Sequence, residues 1–316
     1  MKCLSIHVTD LCNSQCSFCV VASPLYSNDS IDYAQVLSFL EANRNEGYQV
    51  VNLHGGEPTV HPRFLEILRA IHCLGYPELH LQTNGIKLSD PGLLEECVHL
   101  GVRKFIVSLH GDSADVQDGQ TYSHGGFERT TAAIRRMKQA GARVRTNTVI
   151  TMQNLDHLTG IAELACEMGV DHLNFSNLHP VGSARFGLDR IMPSLRAIVP
   201  RLELAIAVAE RAGRRVTLEG FPYCAVPGRI GLHLNNEYRC IRMLMRGTVI
   251  EDYDTFMNDA MRVQGAPCRR CKVRERCGGV YPEYIAYFGW DEFDPVMQLL
   301  AERAPQPPDH RGAPVA

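Results

Sequence analysis

Short apolar runs alternate with longer segments of helical period over the first 180 residues, the pattern of repeated βα units around a parallel sheet. Strands are expected at 3–8, 50–54, 79–82, 104–109, 144–150 and 172–177, and helices at 32–45, 62–74, 91–100, 127–140 and 155–168. Each helix has a glycine at or just past its end: Gly47, Gly75, Gly101, Gly141 and Gly169. Six such units joined by right-handed crossovers predict an α/β fold, a partial (β/α)6 TIM-like barrel that stays open.

A further helix is expected over 195–212, stopped by Gly213. The texture then changes. Residues 216–289 are richer in Arg, Tyr, Gly and Cys, with a hairpin expected across 231–238 that turns at Asn235 and Asn236. The pattern divides the chain near residue 215. Residues 1–214 form a barrel domain with a bridging helix, 215–295 a small C-terminal domain, and 296–316 a proline-rich tail expected to be disordered.

The chain of 316 residues is long enough for a large domain with an appendage. Hydrophobic residues at 45% and charged residues at 21% argue against disorder. A net charge of -3 leaves no global basic field, so no nucleic-acid partner is expected. The apolar stretch in MKCLSIHVTDLC is too short for a signal peptide, and no run of roughly 18 apolar residues occurs, so no membrane partner and a cytoplasmic location are expected. In a reducing compartment, closely spaced cysteines more often bind metal than pair as disulfides.

Twelve cysteines fall into two sets and four singles. Cys12, Cys16 and Cys19 lie within eight residues directly after the first strand, and ligands bind at the carboxyl ends of strands in such sheets. A structural zinc site is closed by four protein ligands, whereas a 4Fe-4S cube held by three cysteines leaves one iron open. His7 is poorly placed inside the strand to be a fourth ligand, but a zinc knuckle remains the bland alternative. Cys3, Cys73, Cys97 and Cys166 read as small hydrophobes within elements.

The Cys-x3-Cys-x2-Cys loop after the first strand, with Phe18 before the last cysteine, resembles the defining motif of the radical S-adenosylmethionine (radical SAM) enzymes. His54-Gly55-Gly56-Glu57-Pro58, at the end of the second strand, is similar to that family's Gly-Gly-Glu-Pro motif. The resemblance implies that Gly55, Gly56, Glu57 and Pro58 bind SAM, the glycines letting backbone approach the ligand and the carboxylate meeting its ammonium. Thr83-Asn84-Gly85 looks like a turn frequent in the family, which adds Asn84, and Ser108, Arg145 and Asn147 stand where relatives reach the ribose or carboxylate of SAM. For Thr83, Ser108 and Arg145 a capping or turn role is the alternative. His54 and His110 flank the rim as an acid or base, or as hydrogen-bonded wall residues.

The second set is Cys224, Cys240, Cys268, Cys271 and Cys277. Basic residues among the last three lower thiolate pKa and offset cluster charge, which fits ligation, with a zinc ribbon as the alternative. Within the resemblance, Cys-x2-Cys-x5-Cys looks like the auxiliary-cluster region called SPASM, or its shorter twitch form. Tyr281 stands where the full pattern has a further cysteine. Five thiols do not fill two clusters, so one auxiliary 4Fe-4S cluster is expected, held by Cys224, Cys240 and two of the last three.

The resemblance implies a first 4Fe-4S cluster that chelates SAM and cleaves it reductively to methionine and a 5′-deoxyadenosyl radical, fed by an electron donor such as flavodoxin or ferredoxin. It implies an oxidoreductase that removes a hydrogen atom from a small-molecule substrate (sugar, aminocyclitol or nucleoside-like), the auxiliary cluster accepting an electron. A maturase of a ribosomal peptide is the second reading, weakened by the absence of a peptide-recognition region before residue 12. A non-catalytic iron–sulfur or zinc protein is the third, and it leaves residues 54–58 unexplained.

Overall fold

All six expected strands form, and three more join them. The computed structural model describes residues 1–22, 29–234 and 240–297. Its strands are β1 (Lys2–His7), β2 (Val50–His54), β3 (Glu78–Thr83), β4 (Val102–Ser108), β5 (Arg143–Ile150), β6 (His172–Asn177), β7 (Arg215–Glu219), β8 (Cys240–Met245) and β9 (Thr248–Ile250). They make one sheet in the order β7-β6-β5-β4-β3-β2-β1-β8-β9. Every pairing is parallel except β8 with β9. The architecture is the open α/β barrel expected, with β7 and β8 extending it at either edge.

The helices are α1 (Tyr33–Asn43), α2 (Phe64–Leu74), α3 (Pro91–His99), α4 (Ala114–Thr121), α5 (Gly126–Gln139), α6 (Leu158–Glu167), α7 (Leu188–Ile191), α8 (Leu195–Arg211), α9 (Tyr253–Met261) and α10 (Pro282–Phe288). Apolar spacing sets the buried faces: α2 buries Phe64, Ile67, Leu68 and Ile71, and α8 buries Leu195, Ile198, Leu202 and Ile206. Gly75 ends α2 at φ 74°, a left-handed conformation that side chains with a Cβ disfavour. Leu4, Ile6, Val51, Leu53, Leu81, Phe105 and Phe175 share one core under these helices. Because strand residues alternate in direction, the intervening positions, including His7, Asn52, His54, Asn147 and Asn174, form a polar inner face.

The boundary expected near residue 215 does not interrupt the sheet. Arg215 pairs with His172 as β7 joins β6, and the chain later returns to pair Cys240 with Lys2 on β1. Arg246 and Gly247 connect β8 to β9 with φ of 48° and 78°, a two-residue turn with both central residues left-handed. The hairpin expected over 231–238 is not seen in its described part, where Gly231 and Leu232 belong to a 3-10 turn (Pro227–Leu232), and Asn235 and Asn236 lie outside the described residues. Of the expected tail, 298–316 lie outside them too. Its first residue, Val296, is buried and accepts the backbone N–H of Lys272 at 3.0 Å.

Candidate functional site

The loop after β1 carries Cys12, Cys16 and Cys19 across the mouth of the barrel, and its backbone is held from two sides. On one side α4 accepts two of its N–H groups, Gln15 to Thr121 O at 3.0 Å and Ser17 to Gln120 O at 2.9 Å. On the other the loop after β6 closes on it, with Ser183 N–H donating to Cys19 O at 2.9 Å. The thiols lie within electrostatic reach of one another. Burial first, then Cys19 and Cys12, pushes the Cys16 thiol up, and burial followed by Glu57 pushes Cys12 up to about 12. Desolvated thiols that repel one another's ionised forms favour a shared cationic partner. His7 is committed elsewhere, its Nε2 2.6 Å from Asp10, which also takes Arg246 at 3.0 Å.

The glycines of residues 54–58 serve this loop. A Cβ on Gly55 would stand 2.4 Å from Thr9 O, and one on Gly56 2.2 Å from Leu11 O. The N–H groups of Gly56 and Glu57 donate to Thr9 O and Leu11 O at 2.6 and 2.8 Å. The close backbone approach expected at a ligand is therefore made to the cysteine loop. Pro58 begins the short 3-10 turn that follows and is buried beside Thr59.

Glu57 is completely buried. One carboxylate oxygen accepts Thr59 N–H at 3.1 Å, Thr59 Oγ1 at 2.6 Å and Thr83 Oγ1 at 2.8 Å, and the other accepts Asn84 N–H at 2.7 Å. Burial pushes this carboxyl above its ordinary range, against the pull of those donors. Glu57→Ala would leave them unsatisfied, and we expect a loss of about 3–5 kcal/mol in urea unfolding. A loss below about 1 kcal/mol would refute the clamp.

Asn84 faces the loop as well. Its Nδ2 donates to Asn13 Oδ1 at 2.7 Å and Ser14 Oγ at 3.3 Å, and lies 4.0 Å from the sulfur of Cys12. Thr83 holds the turn, accepting Gly85 N–H at 3.0 Å. Sequence reasoning missed α4, Asn13, Ser14 and Ser123, whose Oγ atoms join the last two at 2.6 Å.

Ser108, at the end of β4, is the register partner of Asn147 within β5, and Arg145 sits one inward position below. Asn147 Oδ1 accepts Asn174 Nδ2 at 2.5 Å and Ser176 Oγ at 2.9 Å. Asn174 Nδ2 also donates to Glu219 at 2.9 Å, and Ser176 Oγ lies 3.0 Å from the same carboxylate, an alternative acceptor for its one hydroxyl hydrogen. His110 is a wall residue, accepting Val149 N–H through Nδ1 at 3.1 Å with its ring edge-on to Phe18. His54 is half-buried, with its Nε2 buried and unpartnered and its pKa lowered to about 3 by desolvation and by His7.

Around the second set, Cys224 from the loop after β7 lines one cavity with Cys268, Cys271 and Cys277. Burial, then Cys277, Cys268 and Cys271, pushes the Cys224 thiol up to about 12. Cys240 is not among them. It opens β8 opposite Lys2, at the end of the strands away from the cysteine loop. The structure brings Cys224 together with all three of the last cysteines and leaves Cys240 apart, a separation that chain spacing did not reveal because β8 returns to the far edge. Four half-buried thiols lining one cavity fit one cluster. Among the described residues, no three His, Cys, Asp or Glu side chains are gathered tightly enough for a single metal ion.

The family model described as the radical SAM superfamily matches residues 6–165. Proteins named "Probable GTP 3′,8-cyclase" from Saccharolobus islandicus and Saccharolobus solfataricus are 31% identical over 180 residues, covering 57% of this chain and 58% of theirs. The chain thus spans less than two thirds of these relatives. Among solved structures, Streptococcus suis SuiB bound to S-adenosylmethionine aligns with TM-score 0.67 at 16% identity, over 93% of this chain and 76% of that one. SuiB bound to precursor peptide SuiA gives 0.68 at 15%, over 92% and 74%, and native anSMEcpe with bound AdoMet gives 0.54 at 18%, over 69% and 64%. At these identities the structures establish the fold. No helix among the described residues is long and apolar enough to cross a membrane.

Proposed function

The chain belongs to the radical SAM superfamily, and from that premise we propose that it is a cytoplasmic oxidoreductase that removes a hydrogen atom from a small metabolite, such as a sugar, aminocyclitol or nucleoside-like molecule. Cys12, Cys16 and Cys19 would hold the SAM-binding 4Fe-4S cluster, and Cys224, Cys268, Cys271 and Cys277 an auxiliary one in a twitch-like C-terminal region. When bound, the first cluster and SAM supply a 5′-deoxyadenosyl radical, the electron coming from a donor such as flavodoxin or ferredoxin. The chain's own part is positional. Glu57 and Gly56 fix the cysteine loop, Asn147 and Ser108 line the inner face that SAM and substrate would share, and the walls around the mouth exclude water.

The convergence of four thiols on one cavity carries the oxidative reading, since a second one-electron centre gives the electron left on a substrate radical somewhere to go. The name of the sequence relatives, a cyclase of GTP, supports a small substrate. A peptide maturase is the second reading, favoured by the span of the SuiB alignment, which covers 93% of this chain.

Anaerobic reconstitution tests the proposal. Iron near about eight per chain and deoxyadenosine released from SAM under reductant are expected. Cys224→Ala should lower iron to about four per chain, and Cys240→Ala should leave it unchanged. Zinc in place of iron with no SAM cleavage would overturn the reading, as would loss of iron from Cys240→Ala overturn the ligand set. Deoxyadenosine yield with candidate metabolites against a precursor peptide separates the two substrates.

A further inference from the structure

Arg262, which follows α9, has an incomplete set of partners. Its Nε is buried without a hydrogen bond, Nη1 reaches Asn258 Oδ1 only at 3.4 Å, and Nη2 reaches the Tyr281 hydroxyl only at 3.5 Å. No carboxylate among the described residues pairs with it. Its guanidinium carbon lies 5.3 Å from the centre of the Tyr281 ring, on which His179 stacks at 4.4 Å.

His179 follows β6 at the barrel mouth, and its Nε2 is likewise buried and unpartnered. So is Nε2 of His233, which bridges to Leu218 of β7. Arg262 lies close enough to both imidazoles to lower their proton affinity, second only to burial. Two unsatisfied buried imidazole nitrogens near a guanidinium whose own Nε is also unsatisfied are costly, and such groups call for a ligand.

The surroundings define its sign and place. A cleft beside Arg262 is lined by Arg274 and Arg276 against Asp259 and Glu275, and reaches Cys277. A Cβ on Gly278 would stand 2.2 Å from Asn258 Oδ1 and 2.7 Å from Arg262 Nη1, so the residue after Cys277 lies directly against both side chains. On the barrel side, Glu219 is already bonded to Asn174 and Ser176 and makes no ion pair with Arg262. The free donors therefore lie between the polar inner face and the second thiol set.

We propose that Arg262, with His179 beside it, receives an anionic oxygen group, a carboxylate or a phosphoryl, of the molecule that enters the mouth of the barrel between the two thiol sets. A planar guanidinium fork suits either oxyanion, and a neutral imidazole can add one donor. That this molecule is the substrate rests on the function proposed above, whereas anion binding itself does not.

Calorimetric titration of the anaerobically purified full chain with inorganic phosphate, and separately with acetate, tests the site. Saturable binding of at least one anion is expected, with preference for phosphate assigning a phosphoryl group and preference for acetate a carboxylate. Arg262→Gln should weaken binding at least about ten-fold, and Arg262→Lys, which keeps the charge and loses the fork, should fall between. Arg276→Gln should change it less than about two-fold. The site is overturned if neither anion saturates, if Arg262→Gln binds as the parent does, or if Arg276→Gln weakens binding as much. Deoxyadenosine release from the same preparations reads the proposed function separately: anion binding without SAM cleavage would sink that function and leave this site standing.

Discussion

Gly56→Ala is expected to strip iron from the first thiol set while sparing the second. The new methyl group would stand 2.2 Å from Leu11 O and 2.8 Å from Asp10 O, distances that real Cβ atoms do not show. Both obstacles are backbone, so no rotamer change relieves them. The cysteine loop must move, and with it the hydrogen bonds from Gly56 and Glu57 to Thr9 and Leu11. A cluster held by three thiolates needs all three in place, and Cys12 is the residue after the one displaced. After anaerobic reconstitution, iron should fall from about eight to about four per chain, and deoxyadenosine formation should be lost. Full iron with intact SAM cleavage would show that the loop tolerates the shift, and the role given to Gly56 would fall. Gly228→Ala, at an exposed glycine that like Gly56 lies outside the left-handed region but has nothing within 4 Å of the added carbon, is the control.

Acid should unfold the protein steeply, well above the pH at which carboxylates titrate. Burial lowers His54, His110 and His233 to about 3, and His80 and His179 to about 4. In the unfolded chain each returns to about 6.5. Below that value the unfolded state takes up protons that the folded state refuses, so stability falls as pH drops from about 6.5 towards 4, by about 1.4 kcal/mol per pH unit for each histidine. Together they give a slope of several kcal/mol per unit, a large part of the stability of an ordinary domain. Urea unfolding between pH 7 and 5 measures it, and a flat profile would refute it. His80→Gln, on β3 and away from both thiol sets, should flatten the slope by about one proton's share, about 1.4 kcal/mol per pH unit.

The barrel was legible because its strands and helices announce themselves through apolar period and glycine stops. Residues 50–54 and 172–177 were read to the residue. The helix α4 was not, since ADVQDGQT has no apolar stripe and packs instead through Gln117 and Gln120, whose side chains bond the backbone of His110, Gly111 and Val116. Strands β7 to β9 are three to six residues long and lie among charged neighbours, too short for a period to register. At the site, the first cysteine loop and residues 54–58 were visible as motifs. Their mutual contact was not, because a Cβ collision with a distant backbone leaves no trace in spacing. The same blindness put Cys240 among the second set: proximity in sequence to Cys224 counted for it, and pairing with β1, more than 230 residues away in the chain, counted against it unseen.

The path of the chain between Cys224 and Cys268 carries a consequence for biogenesis. After contributing Cys224 beyond one edge of the sheet, the chain crosses to the opposite edge, docks β8 on β1, and only then supplies Cys268, Cys271 and Cys277. A ribosome that has released the chain through Cys224 has therefore produced every thiol of the first set but only one of the four that line the second cavity. The two thiol sets are thus completed in order along the chain, and any chain truncated before Cys268 would carry the whole first loop and, of the four thiols at the second cavity, Cys224 alone.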